Sequence, residues 1–260
     1  MLRLVVLLAL VVAGCGRADG SSVAAFPADV PADYQLGGAY PPPDGVGLVV
    51  RDRTAAPADG AYNVCYVNGF QTQPDAIGWW RREHDELLLR DAHGNYVEDK
   101  EWGELLLDIT TPANRKAIAG IVGPWIAGCA ADGYQAVEID NLDTYDRSGG
   151  LVDRSAALAY ATLLTRAAHD ANLAIGQKNA PDIAAEAHAA GFDFAIAEEC
   201  GRYDECAGYT GVYGDAVLVI EYRREDFATT CAGFGDRLSV VLRDVALTTP
   251  DAPEHTYDAC

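Results

Sequence analysis

Short apolar runs rich in β-branched residues alternate along the chain with longer segments of helical character. Glycine, proline or polar residues bound each run, as is usual at strand ends. The runs are DYQLGG (33–38), VGLVVRD (46–52), YNVCYVNG (62–69), ELLLDI (104–109), QAVEID (135–140), LAIGQKN (173–179), FDFAIAEE (192–199) and DAVLVIEY (215–222). We predict a strand in each of these eight, and LSVVLRD (238–244) is a candidate for an extra strand beyond them.

The segments between the strands predict helices. TPANRKAIAGIVGPWIAGCAADG begins with Thr-Pro, has apolar residues at helical spacing and ends in glycine. DRSAALAYATLLTRAAHDANL and the shorter APDIAAEAHAAG have similar spacing. Strands that alternate with helices indicate parallel βαβ units, and eight strands in about 190 residues favour a single-domain α/β fold, a (β/α)8 TIM barrel. No GxGxxG follows the first strand, which argues against a dinucleotide-binding sheet.

The first fifteen residues, MLRLVVLLALVVAGC, have the pattern of a targeting segment. Arg3 precedes an apolar stretch that is short for a bilayer span, and the segment ends in VAGC, which resembles the lipobox of bacterial lipoproteins. We therefore predict a lipoprotein signal peptide over 1–15, acylation of Cys15, a flexible tether over 16–33 and the barrel domain over 34–260. The protein is expected to be exported and lipid-anchored at the bacterial cell surface or periplasmic face; a plain secretory signal is the alternative.

Six cysteines remain after Cys15, and an even number in an exported chain indicates disulfides. Six cysteines allow fifteen pairings, so spacing alone leaves the connectivity open. The pairing we favour closes a small loop, pins the C-terminal tail and leaves one further pair. These candidates are Cys200 with Cys206, Cys231 with Cys260, and Cys65 with Cys129. The absence of CxxC, HxH and HExxH motifs argues against a zinc site.

Nearly every predicted strand ends on a polar residue. These residues are Asp52, Asn68, Asp108, Asp140, Lys178, Asn179, Glu198 and Glu221. In a TIM barrel the carboxyl ends of the strands build the active site, so we expect these side chains to converge. The alternative is that they cap helices and brace loops.

Side-chain alternation refines this expectation. It places Glu138 and Asp140 on one face of their strand, and it places Glu198 and Glu221 each on an otherwise apolar face. Desolvation at the end of such a face raises the pKa of a carboxyl group, and one such acid beside an ionised carboxylate suits glycoside hydrolysis. Asp143 lies in the loop beyond the strand.

Lys178 is one of three lysines and lies among these acids, where ion pairing is expected rather than Schiff-base chemistry. Several aromatic residues follow strand ends and are candidates for stacking on sugars or for the core. They are Trp79, Trp80, Trp102, Tyr145, Tyr203 and Tyr222.

Six segments together resemble glycoside hydrolase family 114. They are CYVNG (65–69), WGELLLDI (102–109), GYQAVEIDNLDTY (133–145), AHDANLAIGQKNA (168–180), GFDFAIAEECGRYDEC (191–206) and VLVIEY (217–222). The resemblance implies a TIM barrel with endo-α-1,4-polygalactosaminidase activity. It places the catalytic carboxylates on Asp140, as nucleophile or base, and on Glu198, as general acid. Its other matches, taken with the strand-end pattern, give the substrate-binding candidates Glu138, Asn141, Lys178, Asn179, Glu221, Tyr222, Asp108 and Asn68.

Some residues depart from the family pattern. NGFQTQPDAIGWW (68–80) replaces the usual loop after the third strand, Ala197 and Glu199 replace an expected Asn and Gln, and Gln177 stands where leucine is common. These departures leave open a non-catalytic carbohydrate-binding barrel at the cell surface. A divalent-cation-dependent hydrolase that uses the same acids is a further alternative, although no histidine lies near them.

The formal net charge of −20, from 39 acidic and 19 basic residues, disfavours nucleic acid and anionic lipid as partners. It suits a galactosamine-rich polysaccharide, which is cationic where its amines are free. We expect a monomer that requires no cofactor and no metal, and that contacts the membrane only through the anchor at Cys15.

Overall fold

The computed structural model of the protein describes residues 23–260, and a parallel barrel forms its centre. The strands are β1 (Ala32–Gln35), β2 (Leu48–Asp52), β3 (Tyr62–Asn68), β4 (Glu98–Asp99), β5 (Glu104–Leu105), β6 (Ala136–Asp140), β7 (Ala174–Lys178), β8 (Phe194–Glu198), β9 (Val217–Glu221), β10 (Ser239–Arg243) and β11 (Tyr257–Ala259). Eight of them run parallel in the order β1-β2-β3-β6-β7-β8-β9-β10, and β11 pairs antiparallel with β10. The predicted (β/α)8 fold is confirmed.

The barrel closes between its first and last parallel strands. Arg243 on β10 is fully buried and donates from Nη1 to Asp33 Oδ1 on β1 at 3.0 Å and to the carbonyl oxygen of Tyr34. This guanidinium also donates to the carbonyl oxygens of Thr248 and Thr256, so each of its three nitrogens has a hydrogen-bond acceptor where β1 meets β10.

Helices cover the outside of the barrel. They are α1 (Ile77–Glu83), α2 (Pro112–Asp132), α3 (Thr144–Arg147), α4 (Arg154–Asp170), α5 (Ala184–Ala190), α6 (Cys206–Tyr213) and α7 (Arg224–Phe234). Side chains cap the first turns of two helices. Thr111 Oγ1, in the Thr-Pro start read from the sequence, accepts from the backbone N–H of Asn114, and Asp153 Oδ1 accepts from that of Ala156. Gly133 ends α2 with a φ of 97°. Among residues 23–260, no helix is long and apolar enough to cross a membrane.

Strand alternation divides the buried residues into two cores. Side chains such as Leu48, Val50 and Ile196 fill the barrel interior, whereas Val137, Ile139 and other outward-facing residues pack under the helices. Gly176 faces the barrel interior. Glycine is needed there because a Cβ atom would lie 2.4 Å from the ring of Phe194, its partner on β8.

The prediction that ELLLDI (104–109) is a barrel strand is wrong. Only Glu104–Leu105 forms a strand, and it pairs antiparallel with β4 in a hairpin inserted between β3 and α2. LSVVLRD, considered an extra strand, supplies β10 and is the eighth strand of the barrel. The leucines at 105–107 are all buried, so composition could not separate this covering segment from a true barrel strand.

The predicted signal peptide and Cys15 lie outside the described residues, as does the first part of the predicted tether. The described part of that tether contacts the barrel. Phe26 stacks on Phe194 with ring centroids 4.2 Å apart, and Ala32 and Asp33 already belong to β1. The segment from residue 23 therefore covers the amino-terminal end of the barrel, which differs from the flexible tether we predicted.

All three favoured disulfides are present: Cys65–Cys129, Cys200–Cys206 and Cys231–Cys260. The first links β3 to α2 and joins cysteines 64 residues apart. The second joins two cysteines six residues apart after β8, and the third links Cys260 to α7.

The three disulfides are expected to stabilise the fold unequally, because longer loops lose more entropy when they are closed in the unfolded chain. Replacing Cys65 and Cys129 together by alanine should lower the free energy of unfolding by about 4 kcal/mol, against about 2 kcal/mol for Cys200 and Cys206. Denaturant unfolding of both double variants measures this, and a larger loss for the short loop would contradict it.

Candidate active site

The carboxyl ends of the barrel strands surround a cavity of about 300 Å³. Its polar lining comes from five strand ends and two loops: Tyr66, Glu104, Asp140, Asn141, Asp143, Arg147, Lys178, Asn179, Glu198 and Tyr222. Of the predicted site residues, Asp140, Asn141, Lys178, Asn179, Glu198 and Tyr222 are brought together here.

Lys178 is the centre of this cluster. Its ammonium nitrogen lies 3.2 Å from Glu138 Oε1, 3.2 Å from Glu198 Oε2 and 3.7 Å from Asp140 Oδ1. It also donates to the Tyr34 hydroxyl at 3.0 Å. Burial by itself lowers the pKa of Lys178, but the surrounding carboxylates outweigh it and hold the pKa well above its usual value. Lys178 therefore forms ion pairs with these acids, as predicted.

Asp140 lies at the end of β6 with its carboxylate open to the cavity. Its Oδ2 accepts from the Tyr66 hydroxyl at 2.7 Å, and its Oδ1 accepts from the backbone N–H of Asn141 at 2.8 Å. The Asn141 backbone has a φ of 66°, a left-handed conformation that asparagine adopts more readily than most residues. These contacts fix the carboxylate in one orientation toward the cavity.

Glu198 faces Asp140 from the end of β8. Its Oε1 accepts from the Tyr222 hydroxyl, and its Oε2 accepts from Asn179 Nδ2 at 3.2 Å. Asn179 Oδ1 in turn accepts from the backbone N–H of Glu198 at 2.9 Å. The side chain keeps 26% of its surface exposed, so a ligand in the cavity can reach it.

Glu138 lies below the cavity and does not line it. The side chain is fully buried, and its Oε1 accepts from the Tyr34 hydroxyl at 2.7 Å while its Oε2 has no hydrogen-bond partner. Burial raises the pKa of Glu138 to about 7. The prediction that Glu138 binds substrate is therefore wrong, because no surface of it is exposed; it acts on the site through Lys178.

Glu104 is a cavity residue that the sequence analysis missed. The carboxylate accepts from Asn68 Nδ2 at 2.9 Å and from Asn141 Nδ2 at 3.2 Å, and burial raises its pKa to about 7. Asn68 is buried and contributes by holding Glu104 rather than by lining the cavity. The wrong assignment of 104–109 to a barrel strand had placed Asp108, rather than Glu104, at the strand end that faces the cavity.

Two further predicted residues lie elsewhere. Glu221 points from β9 toward the helices, where it accepts from the backbone N–H of Gly201 at 2.7 Å and from Thr230 Oγ1 at 3.2 Å. It shares this outward face with Val217 and Val219, so the adjacent Tyr222 reaches the cavity instead. Asp108 accepts from Thr110 in the turn before α2. Neither residue can contact a ligand in the cavity.

The aromatic candidates separate into three groups. Trp102 and Tyr222 line the cavity. Trp79 and Trp80 lie on α1 and pack against Trp125 of α2, outside the cavity. The remaining two, Tyr145 and Tyr203, do not line the cavity.

Comparison with known proteins identifies the family of the chain. The family model described as "Glycoside-hydrolase family GH114" matches residues 16–260. The chain belongs to this family. It is therefore a glycoside hydrolase, and the cavity at the carboxyl ends of its strands is where the fold places an active site.

Two solved structures share the fold of this chain. Aspergillus fumigatus Ega3, solved in complex with galactosamine, is 21% identical with a TM-score of 0.71, covering 93% of this chain and all of its own. The glycoside hydrolase domain of PelA from Pseudomonas aeruginosa is 15% identical with a TM-score of 0.60, covering 85% of this chain and 96% of its own. A comparison with curated protein sequences gave no significant match.

The loop 68–80, the longest departure from the GH114 pattern, borders the cavity, because Asn68 and Gln71 both contact Glu104. The single-residue departures lie away from it. Gln177 points outward and donates to the carbonyl oxygens of Asn179 and Ala180, and Ala197 packs under the helices. Glu199 forms an ion pair with Arg202. Among residues 23–260, no group of His, Cys, Asp and Glu side chains is arranged to hold a metal ion.

The buried Glu138 should make stability depend on pH. Its pKa is 4.5 in the unfolded chain and about 7 when folded, so between these values the folded state holds a proton that the unfolded state has lost. Stability should then fall as pH rises through this window, by at most about 3 kcal/mol. Glu138→Gln should reduce that slope in denaturant unfolding from pH 4 to 8, while Glu101→Gln, at an exposed position, should keep it. An unchanged slope in Glu138→Gln would contradict this origin.

Proposed function

We propose that the protein is an endo-acting glycoside hydrolase that cleaves α-1,4-linked, galactosamine-containing polysaccharide with Asp140 and Glu198. The observation that carries this proposal is the ion-pair arrangement at Lys178, whose single ammonium contacts both carboxylates at the cavity floor. Asp140 serves as nucleophile or base, and Glu198 as general acid.

The surroundings of the two carboxylates suit these roles. Each is oriented by a tyrosine hydroxyl and an amide N–H, so that neither has to reorganise when charge develops on the sugar. Lys178 compensates part of the negative charge that would otherwise push the two groups apart. Four residues that line the cavity serve as contacts for sugar hydroxyls: Asn141, Lys178, Asn179 and Tyr222.

The shape of the surface favours cleavage within a polymer. Leu36 and Gly37, at the end of β1, form part of the cavity wall and also part of a second cavity of about 570 Å³ above β1, β2 and β3. Consecutive sugar units can therefore continue past the two carboxylates. A chain bound in this way is cut internally rather than from its end.

Charge favours a galactosamine polymer as the substrate. The formal net charge of −20 attracts a polysaccharide that carries free amines, and this attraction should weaken as salt is added. Ega3, a structural neighbour, was solved in complex with galactosamine.

The cellular location is part of the proposal. Three disulfides are typical of an oxidising compartment, and we propose export with a lipid anchor at Cys15.

Replacing either carboxylate should abolish cleavage. Asp140→Asn and Glu198→Gln should each lower kcat about 100- to 10,000-fold on partly deacetylated α-1,4-galactosamine polymer, because each removes a group that transfers a proton or attacks the sugar. Products are followed by mass spectrometry, with and without chelator. Oligosaccharides of mixed length should appear before monosaccharide.

Asp108→Asn is the matched control for these two variants. It removes a carboxylate from the same protein outside the cavity, and it should leave cleavage unchanged. Full activity in Asp140→Asn or Glu198→Gln would contradict the proposal. Binding without product release would indicate a carbohydrate-binding barrel, and loss of activity with chelator would indicate a metal-dependent hydrolase.

A further inference from the structure

The β4–β5 hairpin forms one wall of the active-site cavity. It places Trp102 and Glu104 on that wall on either side of Gly103, whose φ of 68° makes the turn. Trp102 is 56% exposed, an unusual state for a tryptophan, whereas Glu104 is 8% exposed. The wall thus combines an open aromatic face with a nearly buried carboxylate.

The hydrogen bonds to Glu104 are one-sided. Within the described part of the chain, Asn68 and Asn141 both donate to its Oε2, and the Gln71 amide nitrogen, in the orientation that satisfies its neighbours, lies 3.1 Å from the same oxygen. Three amide donors fix the carboxylate without supplying a positive charge. Its other oxygen, Oε1, keeps the capacity to accept from a ligand.

Among residues 23–260, no cation forms an ion pair with Glu104. Arg147 lines the same cavity, but its Nε lies 3.0 Å from Asp99 Oδ2 and its Nη1 lies 3.0 Å from Asp143 Oδ2. Lys178 is engaged by three other carboxylates. Burial accordingly raises the pKa of Glu104 to about 7, as expected for a carboxyl group that lacks a counter-ion.

We propose that Glu104 is a specificity-determining residue that binds the free ammonium of a galactosamine unit beside the scissile bond, while Trp102 covers one face of the same sugar. Asn141 connects this position to the catalytic group, because its side chain donates to Glu104 and its backbone N–H donates to Asp140. The inference rests on the proposed function, and it adds which residue recognises the free amine.

The proposed contact discriminates between deacetylated and N-acetylated units. An ammonium group supplies the positive charge that Glu104 lacks, through a charge-assisted hydrogen bond. An N-acetyl group supplies no charge, requires more space and leaves the carboxylate without a counter-ion. Binding of the deacetylated substrate therefore differs from binding of the N-acetylated substrate by the contribution of one buried charged contact.

The experiment compares Glu104→Gln with the wild-type protein on two α-1,4-galactosamine oligosaccharides of equal length, one fully deacetylated and one fully N-acetylated. Glutamine keeps the size and can still accept from Asn68 and Asn141. The ratio of kcat/KM for the deacetylated over the N-acetylated substrate should fall about tenfold, the equivalent of one charge-assisted hydrogen bond. Glu101→Gln removes an exposed charge from the same hairpin and should keep the wild-type ratio.

An equal fall for both substrates in Glu104→Gln, or an unchanged ratio, would overturn the proposal. Calorimetric affinities for the same oligosaccharides, measured with and without Glu104→Gln in the Asp140→Asn background, separate this result from the proposed function. If the wild-type protein cleaves neither substrate, the proposed function fails. The affinity ratio still decides the role of Glu104: a fall supports the proposal, and no change contradicts it.

Discussion

One buried ammonium group organises the upper end of this barrel. Lys178 lies within 3.7 Å of carboxylate oxygens from β6 and β8, and without it the acidic side chains of Glu138, Asp140 and Glu198 would lie close together with no counter-ion. Removing one partner of such a buried cluster is costly, because it leaves uncompensated charge behind. The ion pairs therefore link side chains of β6, β7 and β8 at the point where a glycosidase needs two carboxylates close together.

Below this cluster the barrel interior is apolar, and the transition is abrupt. Residues such as Ile196 and Leu218 fill the middle, and Phe26 with Phe194 covers the amino-terminal end. Polar residues are concentrated at the opposite end, where Tyr34 and Tyr66 bring hydroxyl donors between the apolar layer and the acids. The barrel interior is thus apolar below the cluster, and the polar and titratable groups that line the cavity lie above it.

Much of this arrangement could be predicted from the sequence, and the failures have physical causes. The alternation rule correctly placed Asp140 and Glu198 in the cavity because their strands are regular and parallel. The same rule failed for Glu221, because the apolar face that it shares with Val217 and Val219 packs against helices rather than inside the barrel. Both faces of a TIM-barrel strand are buried, so an apolar face does not reveal its direction.

The other failure concerned ELLLDI. A hairpin that covers the barrel buries its leucines as deeply as a barrel strand does, and the misassignment hid Glu104 while suggesting Asp108. Tyr34, Tyr66 and Arg147 were also missed, because their roles depend on contacts between residues distant in the chain. Such contacts leave no local pattern.

The most direct test of the central role of Lys178 is chemical rescue. Lys178→Ala should lose more than about 99% of polysaccharide cleavage, because the ammonium orients and compensates both carboxylates. Added methylammonium should restore part of that activity by occupying the vacated position, with the fold monitored by circular dichroism. Cleavage at the wild-type rate without added amine would contradict the account.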